Sequence, residues 1–170
     1  KVKDNINIGF TPDIGLNDFF NKIQYSGPET LIRSFDASKV YGFGLYHTQG
    51  DQFQTYFITK IDIFDLAFSG MLDWEQAIPV DLANIYTYTV STATTTSTTT
   101  QQKVTPVVAT KKAAFTSKVL KNIDVRVYTD PIKGTQIIYG FINKEYLLIT
   151  SGEEVFIDIV NKLTVNNILR

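Results

Sequence analysis

The sequence predicts an α+β fold: two antiparallel three-stranded β-meanders, each followed by a helix, joined by a Thr-rich loop. Three observations predict it. Runs rich in aromatic and β-branched residues alternate with turn residues, as strands of a meander do. An amphipathic stretch of helical period follows each set of runs. Between the sets lies VSTATTTSTTT, residues 90 to 100, where seven of eleven residues are Thr.

The elements follow in order. GLNDFFNKIQYSG places Leu16, Phe19, Phe20 and Ile23 at i, i+3, i+4, i+7, one face of a helix that Gly27 and Pro28 end. LIRSF (31–35) reads as a short strand. KVYGFGLYHT (39–48) and QFQTYFITKI (52–61) read as a hairpin around the turn residues TQGDQ. In DIFDLAFSGMLDWEQAIP, Phe64, Ala67, Phe68, Met71, Trp74 and Ile78 make one apolar stripe. Asp62, Asp65, Ser69, Asp73 and Gln76 make the opposite polar face. Pro79 ends or kinks this helix, and VDLANIY adds another turn or two.

From about Thr89 to Lys112 the chain has no apolar pattern of either period. Thr is β-branched and a poor helix former, so this stretch reads as a long exposed connection. NIDVRVYTD (122–130), QIIYGFI (136–142) and YLLIT (146–150) then read as three strands with turns at DPIKG and NKE. Ser151 and Glu154 have the spacing of a capping box. Val155, Phe156, Ile159, Val160 and Leu163 form the apolar face of a last helix.

The expected organisation is one two-lobed domain over 1–170, with lobes 1–88 and 115–170 and a linker at 89–114. Tyr41-Gly42-Phe43 recurs as Tyr139-Gly140-Phe141, and Phe57-Ile58-Thr59 as Leu148-Ile149-Thr150. Arg33 and Arg126 sit in comparable first strands, so the halves read as a pseudo-repeat. Three strands and a helix are marginal alone. The halves are therefore expected to pack together, with the Thr-rich stretch as a tether across one globule.

Bulk numbers exclude several functions. A chain of 170 residues with 44% hydrophobic and 13% aromatic content can bury a core without staples. Sixteen basic against seventeen acidic residues argue against duplex nucleic acid, whose binding is dominated by phosphate neutralisation. No Lys/Arg block suggests an anionic membrane surface. The absence of Cys removes disulfides, thiolate metal sites and Cys nucleophiles. No apolar run approaches the roughly 18 residues of a membrane span. The chain starts at Lys1 rather than Met, so a removed signal peptide or anchor stays open, and the missing span is no evidence of a soluble native protein.

Catalytic motifs are lacking. His47 is the only histidine, without a G-x-S-x-G elbow to present a nucleophile, and reads as a surface residue near a hairpin tip. Gly42-Phe43-Gly44 lies within a strand and cannot set amides at a helix N-terminus. Asp62, Asp65 and Asp73 have the spacing of a solvated helix face. Asp73, Glu75 and Asp81 around Trp74 offer paired carboxylates for hydrolysis, but no motif shapes a cleft around them. Tyr41, Phe43, Tyr46, Phe53, Tyr56 and Phe57 could stack bases. Only Lys39 and Lys60 are basic nearby, so core packing explains them better. No catalytic residue, cofactor or metal is expected.

SGMLDWEQAIPVDLANIY and NIDVRVYTDPIKGTQIIYGFINKEYLLIT resemble an uncharacterised family of predicted membrane-anchored proteins of the Patescibacteria (candidate phyla radiation). One pattern falls on Gly70, Met71, Leu72, Trp74, Glu75, Asp81 and Leu82. The other falls on Asn122, Asp124, Arg126, Val127, Tyr139, Gly140, Phe141, Leu148, Ile149 and Thr150. The resemblance implies one membrane span outside this chain and an extracytoplasmic domain. It brings no activity and no catalytic residues.

The expected function is a non-enzymatic scaffold or partner-binding domain of a membrane-anchored envelope protein, with a protein partner. Trp74, Glu75, Asp81 and Arg126 are the candidate interaction or signature residues, and Arg126 could pair with a carboxylate. The rivals are an assembly component of a pilus or secretion apparatus, and a carboxylate-dependent hydrolase. The Thr-rich segment suits an exposed, extended life outside the cell and O-glycosylation.

Overall fold

The computed structural model describes residues 7–10, 15–36, 41–48, 53–86, 114–130, 134 and 136–168. β1 (Asn7–Phe10), β2 (Gly42–His47) and β3 (Phe53–Lys60) form one antiparallel meander. β4 (Thr116–Leu120), β5 (Ile123–Thr129), β6 (Gln136–Ile142) and β7 (Tyr146–Thr150) form a second. The meanders join where β3 pairs antiparallel with β7, Tyr56 opposite Thr150 and Lys60 opposite Tyr146. The described residues thus build one seven-stranded sheet in the order β1-β2-β3-β7-β6-β5-β4, in an α+β fold.

Helices cover both faces. On one face lie α1 (Leu16–Lys22), α2 (Glu29–Arg33), α3 (Phe64–Trp74), α4 (Ile78–Asp81) and α5 (Ala83–Tyr86). Their Phe20, Leu31, Met71, Trp74, Leu82 and Tyr86 pack with Phe57, Tyr139, Leu147 and Ile149 of the sheet. On the other face α6 (Glu153–Ile168) sets Val155, Phe156, Ile159 and Val160 against Val125, Ile138 and Leu148. β6 and β7 are covered on both sides, which is why QIIYGFI and YLLIT are nearly continuous apolar runs rather than alternating ones.

Several expectations are corrected. LIRSF is not a strand. Residues 29–33 are helical, entered from an extended Pro28, with Glu29 in the first turn and ion-paired to Arg33 four residues on. Of this run only Phe35 makes a β-bridge, an isolated one to Ile61. Arg33 therefore has no strand to share with Arg126. The first strand of the first meander is β1, and the second meander has a fourth strand, β4, whose Thr116–Leu120 directly follow the expected linker. Residues 89–113 of the linker, with residues 90 to 100 among them, lie outside the described residues.

The capping box does not form around Ser151. Its Oγ accepts instead from the Thr55 amide of β3 at 2.8 Å, and α6 starts at Glu153. The Val155 amide in the first turn of α6 donates to Gln54 Oε1 at 3.3 Å. A side chain 101 residues away thus satisfies a donor that the local sequence leaves open.

The two halves are not equivalent about the β3–β7 seam. A two-fold axis there would keep both following helices on one face, but α3 and α6 lie on opposite faces. Gly42 pairs with Ile58, whereas Gly140 pairs with Leu148, so the match of Phe57-Ile58-Thr59 to Leu148-Ile149-Thr150 is one residue out of step. One residue flips a strand's faces: Phe57 packs on the α3 side and Leu148 on the α6 side.

Candidate functional site

α3 positions the residues that matter. Its close approach to α2 is set by Gly70, where an added Cβ would stand 2.8 Å from Leu31 Cβ. Ala67, Met71, Trp74 and Ile78 of the expected stripe are buried, and Phe64 is half-buried. Phe68 departs from it: the side chain is 44% exposed. Burial is centred on the row through Gly70, Met71 and Trp74, so Phe68 falls on the flank.

Adjacent residues at the end of α3 point in different directions because a helix turns about 100° per residue. Trp74 points toward the α1–α2 connection and is 1% exposed. Its Nε1 donates to Asp81 Oδ2 at 2.7 Å. Asp81 also accepts from the Ser26 amide at 2.8 Å and from Ser26 Oγ at 3.0 Å. Tyr25 stands edge-on to Trp74, ring centroids 4.8 Å apart, and its hydroxyl donates to the Pro28 carbonyl at 2.7 Å. Burial, then the charge of Asp81, raises the Tyr25 pKa above the ordinary phenol value.

Glu75 points toward the second meander and is 8% exposed. Its Oε1 accepts from Arg126 Nε at 2.7 Å and from the Tyr139 hydroxyl at 2.8 Å. Its Oε2 accepts from Arg126 Nη2 at 2.9 Å. Arg126 Nη1 continues to Ser117 Oγ at 2.9 Å, and Nη2 reaches the Phe115 carbonyl at 3.3 Å. A carboxylate at a helix C-terminus opposes the macrodipole, and the bidentate guanidinium offsets that cost. The Glu75 bond raises the Arg126 pKa, against desolvation. Burial, then Glu75, raises that of Tyr139, so the phenol stays protonated as a donor.

The four sequence candidates therefore fall into two neighbouring networks, Trp74 with Asp81 and Glu75 with Arg126. Sequence reasoning missed Tyr139, Ser117, Ser26 and Tyr25. Tyr139 is visible in the Tyr-Gly-Phe repeat and in the second resemblance pattern, with no role attached to it, and nothing local marks Ser117 or Ser26. Chemically both networks are closed. Each oxygen of Glu75 already accepts a charged donor, which makes it a poor general base.

The other candidates are not brought together. Asp62, Asp65 and Asp73 are exposed, and His47 stands at the far end of β2, its ring 5.0 Å from Phe53. Among the described residues no three His, Cys, Asp or Glu side chains group as a metal site. A cavity of about 10 Å³ between the sheet and the helices is lined by Phe19, Phe20, Phe57, Trp74, Leu82 and Ile149 among others. It is apolar and smaller than the usual ligand pocket of roughly 300 Å³ upward.

The open surface feature lies beside α3. Phe64, Phe68 and Leu72, at i, i+4 and i+8, form an apolar row; Leu72 is 40% exposed. Phe141 of β6 meets Phe64 and Phe68 at ring-centroid distances of 5.3 and 6.0 Å. Val119 on β4 is 61% exposed. No family model matches the chain, and no curated protein or solved structure matches it.

Proposed function

We propose that the chain is a non-enzymatic, extracytoplasmic scaffold or partner-binding domain of a membrane-anchored cell-envelope protein. One observation carries the partner-binding part: the exposed apolar row Phe64, Phe68 and Leu72, continued by Phe141. Three large apolar side chains in register on one helix face, two of them substantially exposed, lose free energy to water unless something covers them. Support for a non-catalytic role comes from Glu75 and Asp81, which are engaged in holding α3. A hydrolase needs carboxylates converging on an open cleft, and these two are bound to Arg126 and Trp74.

The envelope location rests on the family resemblance. No helix of the described residues is long and apolar enough to cross a membrane, so the anchor would belong to a segment outside them. A pilus or secretion assembly component is a special case of the same reading, with the same surface as its contact. The finer reading of the halves as a duplication rests on the two Tyr-Gly-Phe segments, whose glycines both face the α6 side. The opposite placement of α3 and α6 weighs against it.

The test is photo-crosslinking in the native cell. A photoreactive residue at Phe68 or Leu72 should give a discrete adduct, and one at exposed Asn161 on α6 should not. Absence of adducts at both α3 positions would sink the reading.

A further inference from the structure

We infer that the two halves of the chain are mutually completing parts, so that the second half of one copy can complete the first half of another. The partner is a second copy of this chain, and the surface is the β3–β7 seam, apart from the α3 row. In the sheet no strand of one half lies between two strands of the other. β1, β2 and β3 run in one block, and β7, β6, β5 and β4 in the next. α1 to α5 belong to the first half and α6 to the second. A single interface therefore divides the molecule.

Neither side of that interface is finished alone. Without the second half, Phe57 and Trp74 lose Tyr139, Leu147 and Ile149 from their cluster. On the opposite face Tyr46, Tyr56 and Ile58 lose α6. Polar contacts across the seam then fix one register. The Ser151 amide donates to the Thr55 carbonyl at 3.0 Å, and the Ile61 amide to the Glu145 carbonyl at 2.8 Å. The Tyr86 hydroxyl donates to the Ile149 carbonyl at 3.2 Å. Glu75 accepts from Arg126 and Tyr139. Every one of these contacts is the same whether the halves come from one chain or from two.

The connection permits both arrangements. The stretch from residue 87 to residue 113 can span up to roughly 90 Å, against roughly 40 Å across a domain of this length. It is long enough to leave one molecule and enter the next. Closure within one chain wins at ordinary concentrations, because the tether holds its own second half at an effective concentration of about 1 mM. Exchange wins once closure is penalised. Glu75 and Arg126 are the place to penalise it, since the pair is bidentate and joins the halves.

The experiment mixes two full-length variants. Glu75→Arg sets two guanidinium groups together within its own chain, and Arg126→Glu sets two carboxylates together. Each closed monomer then carries like charges at the seam. A dimer of one copy of each, with halves exchanged, restores both opposite-charge pairs. Unfolded together in urea and refolded, the mixture should form a 1:1 dimer at about 10 µM, roughly a hundredfold below the concentration the natural chain needs. Size exclusion with light scattering reads the mass. The double variant Glu75→Arg with Arg126→Glu carries the reversed pair in one chain and should stay monomeric. A mixture that stays monomeric while the double variant folds overturns the proposal.

A second measurement decides where the reversed pair does not fold. A protease site placed within residues 90–100 lets the natural chain be cut after folding. The two pieces should elute together at the size of the uncut chain. Cut chain with an affinity tag on its first half is then unfolded and refolded with isotope-labelled, untagged cut chain. The tag should recover labelled second halves in proportion to the mixture. Pieces that separate or precipitate, or a tag that recovers no labelled second half, overturn the proposal.

Discussion

Glu75 and Arg126 lie 51 residues apart in sequence and meet fork to fork, at 2.7 and 2.9 Å, under the C-terminal end of α3. Glu75 comes from the first half of the chain and Arg126 from the second, so the pair ties the helix to the second meander. Tyr139 shares the same carboxylate at 2.8 Å.

Breaking this pair from one side should cost more than removing it. Arg126→Met leaves a carboxylate 8% exposed without its cation, and the expected loss is about 3 kcal/mol. Adding Glu75→Met to that variant should restore at least about 1 kcal/mol, because the orphaned charge is gone. Urea unfolding of the two variants decides; simple additivity would show that the pair is not coupled.

Trp74→Ala should cost about 3–5 kcal/mol through the cavity it leaves. Trp74→Phe keeps most of the packing but deprives Asp81 of its indole donor, for a loss of about 1–2 kcal/mol. This is the only tryptophan, and it is 1% exposed, so native emission should be blue-shifted and move red on unfolding. Emission at the water-exposed position in the folded protein would contradict the burial.

Gly70→Ala sets helix propensity against packing. Ala would gain about 1 kcal/mol in an open helix. Here its Cβ would stand 2.8 Å from Leu31 Cβ and 3.0 Å from Leu31 Cα, so α2 must move. The expected net change is a loss of about 1–3 kcal/mol. Ser69→Ala, one position away on the exposed face, should be neutral or slightly stabilising. Thermal melts of both test the contact.

Alkaline pH should unfold the protein cooperatively. Tyr25, Tyr86 and Tyr139 all have pKa values raised by burial. In the unfolded chain each ionises near its ordinary value of about 10. Their contribution is complete below that value. Above it the unfolded state sheds protons that the folded state keeps, and stability falls by about 1.4 kcal/mol per pH unit for each group. Phenolate absorbance of three of the nine tyrosines should appear together with unfolding, not before it.

Legibility in the sequence followed the strength of the local pattern. YLLIT and QIIYGFI were read to the residue, since β-branched and aromatic runs between turns have one interpretation. LIRSF failed because five residues with three apolar ones suit a strand or a helix turn equally. The Glu29–Arg33 pair and Pro28, which favour the helix, lie partly outside the run. β4 went unseen because an edge strand needs no apolar face: Thr116, Ser117, Lys118 and Val119 are all exposed. Its turn, Lys121 and Asn122, has positive φ at both residues but no glycine to announce it. Within the site, the resemblance picked out Trp74, Glu75, Asp81 and Arg126, but their partners come from distant strands and loops. Tyr139 and Ser117 acquire their roles only through strand pairing with Arg126.

The seam between β3 and β7 bears on how the chain is made. β7 lies about ninety residues downstream of β3, since Lys60 pairs with Tyr146, yet it is β3's only neighbour on that side. During synthesis, β3 would leave the ribosome with an open hydrogen-bonding edge and with Tyr56 and Ile58 uncovered until the last strand and α6 emerged. Such an edge is a template for intermolecular strand pairing. Nascent chains therefore face a waiting interval in which a holdase chaperone competes with aggregation. Shortening the insert between the halves should shorten that interval and raise the yield of folded protein.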